Sequence, residues 1–169
     1  MSPRFRFLFV DDIDSGGYFM KKFLCVAFAV LLLALCSCSN ESDEVIASLG
    51  KYKSKEVYSS GTVQDFTDYA KYSYDKVDFS GNKFFAPVTD DNKAELVRHI
   101  EDFEAWVDSA EQNDPKDKVA ANYDFDMSVI TDGDYVCIYD DPGYPDLGNY
   151  RVYFLDSETN TLYYFRSNI

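Results

Sequence analysis

Histidine and tryptophan are the scarcest side chains in this 169-residue sequence, with one of each, and cysteine occurs only four times. A Ser-His-Asp triad or a Cys-His dyad would have to use His99, the single histidine. The Gly-x-Ser-x-Gly element of many hydrolases is absent from the sequence. Cys137 lies between Val136 and Ile138, in a stretch where a free cysteine is usually a small core residue. A Cys137–His99 dyad is therefore not expected.

Basic residues are also scarce. The chain has 16 Lys and Arg against 30 Asp and Glu, which gives a formal net charge of −14 at pH 7. A surface of this charge repels nucleic acid and anionic lipid head groups, so neither is expected as a ligand. The charge favours solubility of an exported protein, and attraction of a basic partner or of cations is the alternative.

The sequence lacks an apolar run of the roughly 20 residues that a membrane-spanning helix needs. Residues 23–35 are thirteen residues without charge, and they follow Met20-Lys21-Lys22. A positively charged start, a short apolar core and small residues after it are typical of an export signal peptide.

The end of this run, Leu35-Cys36-Ser37-Cys38, resembles the lipobox of bacterial lipoproteins. That motif has an aliphatic residue at −3 and a small residue at −1 before the lipidated cysteine. Cys38 fits this frame, whereas Cys36 would have Leu35 at −1. The resemblance implies that the acyl chains on Cys38, such as palmitate, hold the protein in the lipid bilayer. Two or more such chains anchor a protein stably. The location it implies is the cell envelope, with the outer membrane favoured, on its periplasmic or surface face.

The chain is therefore predicted to have four parts. Residues 1–19 are interpreted as an extension upstream of a start at Met20, because three aspartates precede the apolar run. Residues 20–37 are the signal peptide, and residues 38–50 are a lipidated, flexible, acidic tether. Residues 51–169 are a single domain of a size that builds one core. Once Cys38 is acylated, Cys137 alone is left, so no internal disulfide is expected.

The domain is predicted to be α+β, with two helices packed on an antiparallel four-stranded meander. Apolar residues at helical steps predict helices over residues 63–76 and 91–112. Alternation predicts a strand over residues 123–129, and apolar runs predict a central strand at 135–139 and a hairpin from strands 150–156 and 161–167. Residues 52–58 are expected to form an edge strand, with lysines at 51, 53 and 55 that oppose aggregation.

Oxygen-rich turns raise the alternative of a calcium site. Asn122, Asp124 and Asp126 start an EF-hand-like series, but Met127 stands where that loop needs glycine and Gly133 where it needs glutamate. Solvated turns are the preferred interpretation, and no metal or cofactor is predicted.

Aromatic residues are abundant, with 14 Tyr and 14 Phe. They supply a core, and tyrosine on loops and exposed faces also supports recognition. The residues predicted to form a recognition surface are Trp106, Tyr144, Tyr150 and Tyr153, with core packing as the alternative for Trp106.

Together these features favour a non-enzymatic envelope lipoprotein that binds a protein or saccharide partner. A carboxylate-based hydrolase of the envelope and an acidic inhibitor or immunity-type protein are the alternatives.

Overall fold

Six strands form one antiparallel sheet in the order β1-β2-β6-β5-β4-β3 in the computed structural model, which describes residues 43–62, 65–79, 81–140 and 148–168. These residues all belong to one unit, Asp43–Ile169. The strands are β1 (Ser54–Gly61), β2 (Phe66–Ser73), β3 (Ala86–Pro87), β4 (Tyr135–Asp140), β5 (Tyr150–Asp156) and β6 (Thr161–Asn168).

The helices of the described chain are the short α1 (Glu44–Ser48) and the long α2 (Asp90–Asn113), with 3₁₀ turns at Ala120–Asn122 and Met127–Val129. The predicted fold of two helices on a four-stranded meander is therefore wrong. The domain is mostly β, with six strands and one main helix.

The predicted helix at 63–76 is the main error, because Phe66–Ser73 is strand β2. The apolar residues at 66, 70 and 74 are four positions apart, and four is close to one helical turn but also an even number. Residues an even number apart lie on the same face of a strand. The spacing is therefore compatible with a helix and with a strand. The segment forms a strand because its backbone pairs with both β1 and β6.

The predicted strand at 123–129 is also wrong. Phe125 is buried and Tyr123, Met127 and Val129 pack against the core, so the alternation does separate inward from outward residues. The backbone, however, forms no sheet pairs there. Asp126 instead accepts a hydrogen bond from the backbone N–H of Ser128 at 2.8 Å, which favours a 3₁₀ turn.

Several predicted elements are confirmed. Helix α2 closely matches the predicted 91–112, and it begins where Asn92 Oδ1 accepts a hydrogen bond from the Thr89 N–H at 2.8 Å. Strand β1 lies at the sheet edge, and β5 and β6 form the predicted hairpin. Strand β4 is less central than predicted, since its outer neighbour is the two-residue β3.

Each face of the sheet carries its own hydrophobic cluster. Helix α2 and the 3₁₀ turns cover one face, with a core that includes Tyr69, Ile100, Phe103, Phe154 and Phe165. The other face is covered by α1 and by side chains from residues 74–79 and 84–85, with a core that includes Val45, Leu49, Ala70, Tyr153 and Leu162. Burial of this aromatic surface is the main source of stability.

Residues 43–50 of the predicted tether at 38–50 belong to the folded unit. Asp43 caps α1 by accepting hydrogen bonds from the N–H groups of Val45 and Ile46, at 3.0 and 3.3 Å. Val45 and Leu49 are each only 5% exposed. The folded domain therefore includes residues 43–50, because these two side chains pack on the sheet.

Candidate functional site

Polar side chains converge at the end of the sheet where β4 ends and β5 begins. The register places Asp140 beside Tyr150 and Tyr139 beside Arg151, and it places Arg151 directly opposite Arg166. Two adjoining clefts open here, with volumes of about 340 and about 250 Å³. The larger, which we name the arginine cleft, contains Arg151 and Arg166, and the smaller, the histidine cleft, contains His99. Both are lined by Asp140, Asn149 and Tyr150.

His99 lies on α2 and is held rigidly at the base of the histidine cleft. The residue is 3% exposed, and its ring lies 4.7 Å from the ring of Tyr150, centroid to centroid. The Tyr150 hydroxyl also donates a hydrogen bond to the His99 backbone carbonyl, at 3.1 Å. These contacts join α2 to β5 and fix the direction in which the imidazole points.

The Nε2 atom of His99 contacts two side chains of opposite charge. It lies 3.1 Å from Oδ1 of Asp140 and 3.2 Å from Nη2 of Arg98. Burial lowers the pKa of His99, and the nearby Asp140 carboxylate opposes this effect without overcoming it. The lowered pKa favours the neutral imidazole, which is the form that coordinates metals.

The arginine cleft contains two positive side chains on neighbouring strands. Directly opposite residues in an antiparallel pair have Cβ atoms about 5 Å apart, and like charges in such positions repel. An aromatic ring supports each guanidinium: Arg166 Cζ lies 4.3 Å from the Phe66 centroid, and Arg151 Cζ lies 5.5 Å from the Tyr139 centroid. Cation–π contact of this kind fixes the direction of a guanidinium.

Carboxylates of the described residues compensate these two charges only in part. Asp68 Oδ2 lies 3.9 Å from Arg166 Nη1, which is long for an ion pair. Within the described ranges, no carboxylate lies within ion-pair distance of Arg151. Both guanidinium groups line one cleft, where they can donate hydrogen bonds to a ligand with a carboxylate, sulfate or phosphate group.

Two of the four residues predicted to form a recognition surface are core residues. Tyr150 is 7% exposed and Tyr153 is fully buried. Trp106 is half-buried and packs on Phe103, with ring centroids 6.1 Å apart, which agrees with the alternative of core packing. Tyr144 lies outside the described residues, as do the predicted signal peptide and the lipidation site Cys38.

Cys137 and His99 are not brought together. Cys137 packs in the cluster that α1 covers, whereas His99 belongs to α2 on the opposite face of the sheet. Burial raises the pKa of the Cys137 thiol, which disfavours the reactive thiolate. This agrees with the expectation that the pair forms no dyad.

The acidic turns are used for structure. Asp124 accepts hydrogen bonds from the Tyr69 hydroxyl at 2.8 Å and from Lys71 Nζ at 2.7 Å. Asp134 is fully buried and accepts hydrogen bonds from the backbone N–H groups of Thr131 and Ser157. These hydrogen bonds give both carboxylates a structural role.

No protein family model matches the chain, and no curated protein or solved structure is significantly similar to it. No helix in the described part of the chain is both long and apolar enough to cross a membrane.

The sequence analysis missed the arginine pair, although a signal for it was present. The predicted turn at 157–160 joins two strands of similar length, and its position fixes their register. Counting outward from this turn pairs Asp156 with Thr161 and, five positions further, Arg151 with Arg166. The pairing of His99 with Asp140 carried no comparable signal, since the two residues come from elements distant in sequence.

Proposed function

We propose that this protein is a non-catalytic lipoprotein of the cell envelope, anchored through Cys38, whose domain binds an acidic saccharide in the arginine cleft. The observation that carries the proposal is the cross-strand pair Arg151 and Arg166, each supported by an aromatic ring. The anchor rests on the lipobox-like residues 35–38 and on the apolar run before them.

The arginine pair favours an anionic group on the ligand. Guanidinium groups bind carboxylates through paired N–H donors, and such charge-assisted bonds are about twice as strong as neutral ones. A shared anion would also relieve the repulsion between Arg151 and Arg166. The strongly acidic remainder of the protein repels anions, including an acidic saccharide, so such a ligand would bind only where the two arginines supply local positive charge.

The composition of the surface favours a saccharide over a protein. Protein interfaces usually have an apolar centre with several aromatic side chains. Among the described residues, only Val57 and Tyr139 are large hydrophobic side chains with substantial exposure, at 50% and 38%. The exposed ring of Tyr139, beside charged groups and the amides of Asn149 and Asn168, suits a sugar ring, which has one apolar face and many hydroxyls.

Calorimetric titration with tetragalacturonate tests this proposal, with neutral maltotetraose as the control ligand. The wild-type protein should bind the acidic sugar and not the neutral one, and added salt should weaken binding. Arg151→Gln and Arg166→Gln should each reduce the affinity at least about tenfold, which corresponds to the loss of one charge-assisted contact. Lys116→Gln, an exposed change elsewhere, should have no effect.

Other results would overturn the assignment. Equal affinity of the arginine variants and the wild type would exclude the cleft, and absence of acidic-sugar binding would favour a protein partner. Release of new reducing ends during the titration would favour the alternative of a hydrolase.

A fractionation experiment tests the anchor separately. Cys38→Ala should release the protein from membranes, because the acyl chains are lost, whereas the matched variant Cys36→Ala should stay membrane-bound. Membrane association of Cys38→Ala would contradict lipidation at that residue.

A further inference from the structure

Three potential metal ligands from two elements converge in the histidine cleft. Glu95 and His99 are four residues apart on α2, so they lie on the same face of the helix. Asp140, the last residue of β4, approaches them from the sheet. One ligand atom from each residue lies within 4.8 Å of the other two.

The donor set and the spacing suit a divalent transition metal. One imidazole nitrogen and two carboxylate oxygens are ligands that zinc accepts, at about 2.0–2.2 Å from the metal. Two ligands at that distance in a tetrahedron are about 3.4 Å apart. His99 Nε2 and Asp140 Oδ1 are already 3.1 Å apart. Glu95 is exposed, and a change of rotamer brings its carboxylate closer.

The environment of His99 gives independent support. Its Nε2 atom faces Arg98, which can only donate a hydrogen bond, and the Asp140 carboxylate, which when ionised can only accept one. A neutral imidazole nitrogen cannot serve both partners. A cation between Nε2 and Asp140 resolves this conflict, because the nitrogen lone pair and the carboxylate both bind the metal.

The rest of the ring permits that arrangement. Nδ1 of His99 is buried and has no hydrogen-bond partner within the described residues. The tautomer with the proton on Nδ1 gives up the hydrogen bond from Nε2 to Asp140, and coordination of one metal by Nε2 and the Asp140 carboxylate replaces that bond. Tyr150 fixes the imidazole in place, so little conformational entropy is lost when the metal binds.

We propose that Glu95, His99 and Asp140 form a binding site for zinc or a similar divalent transition metal, with water completing the coordination. Arg98 is the cation that competes for the site. It is an exposed side chain and leaves the Nε2 atom when a metal enters. The site does not depend on saccharide binding, since Arg151 and Arg166 take no part in it.

Titration of the purified protein with ZnCl₂ tests the proposal, with the visible absorption of bound Co²⁺ as a report of nitrogen and oxygen ligation. The wild type should bind one ion. Asp140→Asn and Glu95→Gln, both changes at exposed positions, should each weaken binding at least about tenfold. Arg98→Ala should strengthen it, because the competing charge is removed. Glu111→Gln, an exposed carboxylate change near the end of α2, should leave the affinity unchanged.

The contrary results are equally specific. Absence of saturable zinc binding by the wild type would overturn the proposal, as would equal affinities across all variants, which would mean diffuse attraction to an acidic surface. Weaker binding by Arg98→Ala would show that the arginine supports the cleft instead of competing for it, and would also count against the site. Circular dichroism of each variant verifies that the fold is intact.

Discussion

Asp134 is the buried carboxylate with the largest expected effect on stability. It is fully buried just before β4. Its Oδ2 atom accepts hydrogen bonds from the N–H and hydroxyl of Thr131, at 2.7 and 3.0 Å. Its Oδ1 atom accepts them from the N–H and hydroxyl of Ser157, at 2.9 and 3.0 Å. One side chain thus joins the turn before β4 to the turn after β5.

The magnitude follows from these four bonds. A hydrogen bond to a charged group contributes about 1.5–3 kcal/mol, but bonds that share one carboxylate are not additive. In Asp134→Ala, two backbone N–H groups lose their acceptor and a small cavity forms. We expect the free energy of unfolding to fall by about 3–5 kcal/mol, a large part of the 5–15 kcal/mol typical of a domain. The stability of Asp134→Asn should lie between those of the wild type and Asp134→Ala. Its amide oxygen still accepts hydrogen bonds, but its NH₂ group replaces the other oxygen and faces donors.

Urea denaturation followed by fluorescence measures this change. Asp132→Asn is the matched control, since Asp132 is exposed and lies in the same turn. Its midpoint should shift by less than the equivalent of about 0.5 kcal/mol. A loss below about 1 kcal/mol for Asp134→Ala would refute the reasoning, because it would show that water replaces the carboxylate at both turns.

Two smaller effects are expected. Partial burial raises the pKa of Asp124, but hydrogen bonds from Lys71 and Tyr69 outweigh it and leave this pKa below its usual value. The stabilisation that Asp124 contributes is present above about pH 3.9, the pKa of aspartate in the unfolded chain. It is lost as the pH falls through the lower pKa that Asp124 has in the folded protein. In Asp124→Asn, the urea midpoint should therefore fall less steeply at acid pH than in the wild type. The difference should correspond to less than about 1 kcal/mol, because the side chain is exposed. An unchanged pH dependence would contradict this. Tyr153→Phe removes the 2.5 Å hydrogen bond from the tyrosine hydroxyl to Asp43. The free energy of unfolding, measured by thermal denaturation, should fall by about 1–2 kcal/mol. An unchanged stability would refute the contribution of this bond.

The elements that depend on local patterns could be predicted from the sequence. Helix α2 has a long apolar stripe that only a helix brings to one face. The β5–β6 hairpin follows from two strand-like runs with a four-residue turn between them, in which Asn160 adopts a positive φ of 54°.

The elements that depend on distant pairing could not be predicted in the same way. Strand β2 has buried residues on both faces because both faces of the sheet are covered, and this hides its period of two. The same limit applies to the candidate sites. His99 and Asp140 meet only because α2 packs across the ends of β4 and β5, and no spacing along the chain encodes that contact.

The central claim is that Arg151 and Arg166 bind the acidic group of a saccharide together. Two-dimensional NMR of the arginine Nε–Hε groups during titration with tetragalacturonate tests it most directly. The Arg151 and Arg166 signals should shift together and saturate at the same ligand concentration. The Arg98 signal should shift much less than either. Unchanged Arg151 and Arg166 signals at saturating ligand, or a shift confined to Arg98, would contradict the account.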